Sequence, residues 1–148
     1  MLKILIVDDE IKIREVVKEY AEVYGYECDE ASDGMEAVEK VRDNDYDCVI
    51  LDIMMPRLDG FSACRKIKEM KNVPVIMLSA RSEEEDKLFS FSMGIDDYVT
   101  KPFSPKELMA RIKAVSERNR RSVHSTFRYE DLVVDFDARD VFIDNERV

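Results

Sequence analysis

The chain has 148 residues and a formal net charge of −10 at pH 7, which fits one complete acidic domain plus a fragment of a second. Hydrophobic residues at 45% suffice for a packed core, and charged residues at 38% call for a large water-facing surface. No apolar run reaches the length of a membrane span, and the opening residues 2–7 are too few and too soon followed by acids for a signal peptide, so the expected location is the cytoplasm.

In that compartment Cys28, Cys48 and Cys64 are expected as reduced thiols. They form no CxxC pair and read as core residues, not metal ligands. Residues 1–117 hold 17 basic and 26 acidic side chains, a net of −9, whereas residues 118–148 hold 6 and 7. A domain at −9 lacks the basic face that phosphate contacts require, so any DNA-touching surface lies outside residues 1–117.

In chain order, residues 2–7 read as a buried strand that ends at Asp8-Asp9-Glu10. A helix follows, with Ile13, Val16, Val17, Tyr20, Ala21 and Tyr24 on one face and Gly25 as its stop. Residues 26–30 form a short second strand. Ser32 or Asp33 caps the next helix, whose apolar face is Met35, Val38 and Val41. Residues 47–51 form a strand buried on both faces, and it stops abruptly at Asp52 before the turn signals Pro56 and Leu58-Asp59-Gly60. A third helix carries Phe61, Cys64, Ile67 and Met70. Residues 73–78 are the fourth strand, ending at Ser79-Ala80. Ser82 is placed to cap a fourth helix with acids in its first turn, and its Leu88, Phe89, Phe91 and Met93 read as core. Residues 97–100 are a fifth strand, before Lys101-Pro102-Phe103. Ser104 and Glu107 form a capping box, Pro105 opens the last helix, and Leu108, Ile112 and Val115 face inward.

Strand and helix alternate five times, the pattern of a doubly wound parallel sheet with helices on both faces. The order 2-1-3-4-5, adopted from known sheets of this kind, sets strands one, three, four and five side by side. Beyond the last helix, residues 121–126 are basic and polar, a linker by composition. Residues 127–148 switch to period-two alternation at Leu132, Val134 and Phe136 and again at Val141-Phe142-Ile143, an antiparallel segment too short to bury its own core.

The strand tips then gather Asp8, Asp9, Asp52, Ser79 and Lys101. Three carboxylates at one place repel one another unless a cation joins them, and an open site of hard oxygen ligands suits Mg²⁺. An acceptor carboxylate, a metal, a lysine and a hydroxyl are what phosphoryl transfer to an aspartate needs.

The segments Asp8-Asp9-Glu10, Asp52-Ile53-Met54-Met55-Pro56-Arg57-Leu58-Asp59-Gly60, Ser79-Ala80 and Lys101-Pro102-Phe103 resemble the receiver domain of bacterial two-component response regulators, over residues 1–120. The resemblance implies a CheY-like fold, Asp52 as phosphoacceptor, and Mg²⁺ held by Asp8, Asp9, Asp52 and the backbone carbonyl of Met54. It also implies a switch made by Ser79 and Tyr98, a phosphoryl contact from Lys101, a cis peptide before Pro102, and a separate sensor histidine kinase as donor. A narrower resemblance is to the OmpR/PhoB subfamily, whose receivers pair as homodimers through the fourth helix, fifth strand and fifth helix. There Lys87 is expected to pair with Glu107, Asp97 with Arg111 and Asp96 with Arg118, around Leu88, Phe91 and Met109. Ser90 and Ile95 depart from the family's usual Gly and Ala. Residues 129–148 are similar to the first strands of that subfamily's winged-helix domain, without its recognition helix, so specific DNA binding is expected only of a longer protein.

The expected function is therefore a phosphorylation-dependent switch that controls transcription. The alternative is a receiver-like interaction module that works without phosphorylation. A turnover phosphatase is disfavoured, because Met54 stands where such hydrolases carry their general acid, leaving at most slow self-dephosphorylation. A flavodoxin-like cofactor carrier is excluded by Asp8-Asp9-Glu10, which would repel the cofactor phosphate.

Overall fold

The computed structural model of the chain describes residues 1–55, 57–80 and 84–132. The chain divides into two compact units, Met1–Ser116 and Glu117–Val148. Five parallel strands make one sheet in the order β2-β1-β3-β4-β5, namely β1 (Lys3–Val7), β2 (Glu27–Ala31), β3 (Cys48–Asp52), β4 (Val75–Ser79) and β5 (Asp97–Thr100). The helices between them are α1 (Ile11–Val23), α2 (Gly34–Asp43), α3 (Gly60–Met70), α4 (Glu84–Ser92) and α5 (Pro105–Leu132). This is the doubly wound, CheY-like sheet that the alternation of elements predicts.

The pleat explains why the central strands read as unbroken apolar runs. Leu5, Val7, Val49, Leu51, Val75 and Met77 face one cluster with Ala37, Val41, Ala63, Cys64 and Ile67 of α2 and α3. Ile4, Ile6, Ile50, Ile76 and Leu78 face the other, with Val17, Ala21, Leu108, Met109, Ile112 and Val115 of α1 and α5. Strands β1, β3 and β4 thus bury both of their faces, and each aliphatic side chain so buried contributes on the order of 1.5–3 kcal/mol. Among the described residues the polar β2, Glu-Cys-Asp-Glu-Ala, pairs with β1 alone and forms one edge.

Local signals behave as their chemistry requires. Asp33, not Ser32, caps α2, its carboxylate accepting the Glu36 N–H at 2.8 Å, while the Ser32 N–H and hydroxyl donate to the Glu36 carboxylate. Gly25 has φ +80° after α1, and Gly94 has φ +90° after α4. The Ser104 hydroxyl accepts the Glu107 N–H at 3.2 Å, but the Glu107 carboxylate turns to Arg111 instead of completing a capping box.

Other readings also differ from the structure. Phe89 and Phe91, read as core, are 51% and 48% exposed, because α4 turns these side chains to its outer surface and buries Ser90. Met35, Met70 and Tyr24 are also more exposed than their helical spacing implied, since Ala37, Ala63 and Ala21 occupy the inward positions. Finally, α5 continues to Leu132, across residues 121–126 expected as linker and 127–132 expected as strand. Residues 106–132 contain neither Gly nor Pro to stop it. The expected cap at Ser82 and residues 133–148 lie outside the described residues.

One glycine fixes where the third strand meets its helix. A Cβ at Gly60 would overlap the Asp52 carbonyl oxygen and sit 2.7 Å from Ile53 Cα, both backbone atoms that cannot rotate away. We expect Gly60→Ala to lower stability by about 2 kcal/mol through this overpacking. A urea midpoint equal to that of wild type would refute the close approach.

Candidate functional site

The register carries the acidic cluster to one end of the sheet. Val7 pairs with Leu51, so Asp8 and Asp52 lie side by side at the tips of β1 and β3. Asp52 pairs with Leu78, which sets Ser79 one residue further out on β4, and Ser79 pairs with Thr100 just before Lys101. One carboxylate oxygen from each of Asp8, Asp9 and Asp52 lies within 4.8 Å of the others. Asp8 is fully buried, Asp52 nearly so, and Asp9 is exposed. Ser79 is fully buried, and its carbonyl accepts the Lys101 N–H at 2.7 Å. The Lys101–Pro102 peptide is cis.

The electrostatics are short of positive charge. Two carboxylates at such a separation repel by roughly 3 kcal/mol at an effective dielectric of 20. The Lys101 ammonium lies 3.0 Å from Asp8 Oδ2 and 3.5 Å from Asp52 Oδ1. Asp8 Oδ1 accepts the Glu10 N–H at 2.9 Å. Asp8 Oδ2 is buried and has no hydrogen bond of good angle, even though the Lys101 ammonium pairs with it. Burial raises the Asp8 carboxyl above its ordinary value, against the opposing pull of the Glu10 N–H and Lys101. Burial, with the neighbouring Asp8 charge, pushes Asp52 from 3.8 up to about 6, although Lys101 and the Met54 N–H favour its ionised form. Burial by itself would lower the Lys101 ammonium, but its hydrogen bond to Asp8 and the charges of Asp52 and Asp8 outweigh that and raise it. The donor set fits a small hard divalent cation: carboxylate oxygens converge, the buried Asp8 Oδ2 has the Lys101 ammonium beside it, and both buried acids are raised by loss of water, Asp52 also by the charge of Asp8. Among the described residues, Asp8, Asp9 and Asp52 are the side chains placed to hold it.

The other residues singled out by sequence are placed as follows. Tyr98 is buried, with the Lys87 ammonium 5.8 Å from its ring centroid. Leu88 and Phe91 are exposed on α4. Arg111 is engaged within the chain, bonding the Asp97 carboxylate at 3.0 and 2.8 Å and Glu107 at 3.0 Å. Asp96 binds Lys68 at 3.1 Å and caps the Val75 N–H at 2.8 Å. Arg118 belongs to the second unit. Met109, expected on the dimer face, is instead fully buried in the α1–α5 core, because it shares the inward stripe of α5 with Leu108, Ile112 and Val115.

Sequence reasoning missed what supports the connection between β3 and α3. Arg57 has φ +69°, and its guanidinium bonds the Asp33 carboxylate at 3.0 Å. Asp33 was legible only as a candidate helix cap; nothing in the sequence marks Arg57 as its partner.

The response regulator receiver domain model matches residues 4–113, and the chain belongs to that family. Among curated relatives, the transcriptional regulatory protein SrrA of Staphylococcus aureus is 40% identical over 99% of this chain, and the chain spans 64% of its length. Among solved structures, DrrB, a Thermotoga maritima OmpR/PhoB homologue, is 38% identical with a TM-score of 0.73, over 80% of this chain and 54% of that one. The receiver domain of the Pseudomonas aeruginosa sensor histidine kinase PA1611, solved with a magnesium ion in its active-site cleft, is 31% identical with a TM-score of 0.72, over 78% of this chain and 98% of that one.

The raised Asp52 value has a consequence for the metal-free protein. The unfolded carboxyl loses its proton near 3.8, the folded one near 6, so a cost to folding grows as pH climbs through that window and reaches its full size above it. The rise is equivalent to at most about 3 kcal/mol. Asp52→Asn should therefore stabilise the protein by about 1–3 kcal/mol at pH 7.5 in chelator and by little at pH 4. Urea midpoints at the two pH values check this, and an equal effect at both would contradict it.

Proposed function

We propose that this chain is a phosphorylation switch, with Asp52 as the acceptor of a phosphoryl group from the phosphohistidine of a sensor histidine kinase. The observation that carries this reading is the convergence of three carboxylates within 4.8 Å, two of them bridged by the Lys101 ammonium. Asp8, Asp9, Asp52 and the Met54 carbonyl would hold Mg²⁺, which supplies the positive charge that phosphoryl oxygens need beside an acidic cluster. A carboxylate oxygen of Asp52 forms the new bond to phosphorus as the donor P–N bond breaks, and the imidazole leaves with the electron pair and takes up a proton. Lys101 stabilises the transferred charge, and the Ser79 hydroxyl donates to the phosphoryl group once it is in place. Asp52 is mostly ionised above pH 6, as attack requires.

Phosphorylation would then bias the face of α4, β5 and α5 between two conformations, with Tyr98 moving alongside Ser79. In the phosphorylated state that face would pair two copies of the chain, Lys87 with Glu107, Asp97 with Arg111 and Asp96 with Arg118, around the exposed Leu88 and Phe91. The internal Arg111–Asp97 pair would have to exchange for an intermolecular one. By likeness to SrrA and DrrB, the output would be transcription control by a cytoplasmic OmpR/PhoB-type regulator, with DNA contacts made by parts of a longer protein. The switch is not a turnover enzyme, since Met54 offers no proton where a hydrolase needs one.

The test is intact mass after incubation with Mg²⁺ and acetyl phosphate. Wild type should gain one phosphoryl group and Asp52→Asn none. On sedimentation the modified wild type should be a dimer, and modified Arg111→Ala a monomer. No gain by wild type from either acetyl phosphate or a phosphorylated kinase would leave the phosphorylation-independent interaction module as the better reading. Equal sedimentation of the two modified proteins would remove the proposed dimer face.

A further inference from the structure

This inference rests on the metal site proposed above and concerns what holds its loop. The β3–α3 loop carries Met54, whose N–H favours the ionised Asp52 and whose carbonyl is proposed above as a Mg²⁺ ligand. A small displacement of this loop therefore changes both the acceptor and the metal ligand set.

The loop is braced at two places. At its far end the Gly60 N–H donates to the Ile53 carbonyl at 2.9 Å, and the absent Cβ of Gly60 lets α3 begin against the Asp52 backbone. In its middle, Arg57 has φ +69°, the left-handed region that a residue with a Cβ rarely occupies. Such a conformation persists only where surrounding contacts hold it. Two such contacts are present, both from the start of α2. The Arg57 Nη1 lies 3.0 Å from Asp33 Oδ2. The Leu58 carbonyl presses so closely on Gly34 that a Cβ there would overlap it. Asp33 is 6% exposed and held fast, since its other oxygen accepts the Glu36 N–H at 2.8 Å as the α2 cap. One buried carboxylate thus fixes a helix start and a loop at once.

We infer that Asp33 and Arg57 are positioning residues for the metal site: their ion pair holds the loop in its left-handed turn and so sets where Met54 presents its backbone to Asp52 and the cation. The alternative is an ordinary surface pair, since the Arg57 side chain is 61% exposed, and such pairs contribute little to stability. The two readings part on what they move. An ordinary pair leaves metal affinity alone, whereas a positioning pair changes it with little effect on the folding midpoint.

The test measures Mg²⁺ dissociation constants by calorimetry at pH 7.5, with urea midpoints in chelator, for wild type, Arg57→Gly, Arg57→Lys and Asp33→Asn. Glycine accepts a positive φ without strain, so Arg57→Gly removes the tether and leaves the turn able to form. Asparagine is a good helix cap, so Asp33→Asn removes the charge and keeps α2. Arg57→Gly and Asp33→Asn should each weaken Mg²⁺ binding about 3- to 10-fold, below the usual range for outer-shell partners because Arg57 is exposed. Arg57→Lys should recover most of the loss, and the double variant should be no weaker than the worse single one. Mg²⁺ binding within twofold of wild type in both single variants overturns the inference while leaving the metal site intact. A wild type that binds no Mg²⁺ overturns both.

Discussion

The structure turns on a charge imbalance that the fold itself creates. Parallel pairing of β1 with β3 delivers Asp8 and Asp52 to neighbouring strand tips, and the turn after β1 adds Asp9. Against three carboxylates stands the Lys101 ammonium, itself brought in by the tip of β5. Burial makes the imbalance severe, since both Asp8 and Asp52 are pushed upward primarily by loss of water. A protein selected only for stability would place apolar or paired groups here. Retaining the acids leaves a cluster whose mutual repulsion a bound cation would relieve.

The backbone around this cluster is held to close tolerances. Gly60 admits α3 against the Asp52 carbonyl, and Gly34 admits the Leu58 carbonyl against α2. The two sheet faces are filled by aliphatic side chains with little exposure, so the strand tips have a rigid base. By contrast, α4 shows Leu88, Phe89 and Phe91 to the surface, and the Phe89 ring meets Phe61 of α3 edge-on at 4.9 Å. Rigid strand tips beside a helix with an incompletely buried apolar face are the arrangement through which a charge change at Asp52 could be converted into a change of surface.

Much of this was legible in the sequence because it depends on short-range rules. Buried strands interrupted by acids, Gly25 and Gly94 as helix stops, and Pro105 at a helix start follow from side-chain and backbone chemistry alone. The convergence of Asp8, Asp9, Asp52 and Lys101 was legible for the same reason, with each at or just past the end of a strand. What was not legible depends on which helical stripe wins. Met109 and Leu108 are adjacent on α5, and only the packed sheet shows that both are buried. The α4 aromatics have core-like composition, yet Ser90 takes the inward place. The Arg57–Asp33 pair spans 24 residues and requires a positive φ that no local pattern announces. The helical path of α5 through residues 121–132 rests on the absence of a breaker, which composition as a linker obscured.

The most direct measurement of the central claim is the proton balance of Mg²⁺ binding. Calorimetric titrations near pH 6, in two buffers of different ionisation enthalpy, count the protons displaced as the metal enters. With Asp52 poised at about 6, wild type should release a substantial fraction of one proton at pH 6 and almost none at pH 8. Asp52→Asn should bind far more weakly and lose that release. Binding with no proton release at pH 6, or with the same release in Asp52→Asn, would contradict an acceptor carboxylate held short of positive charge.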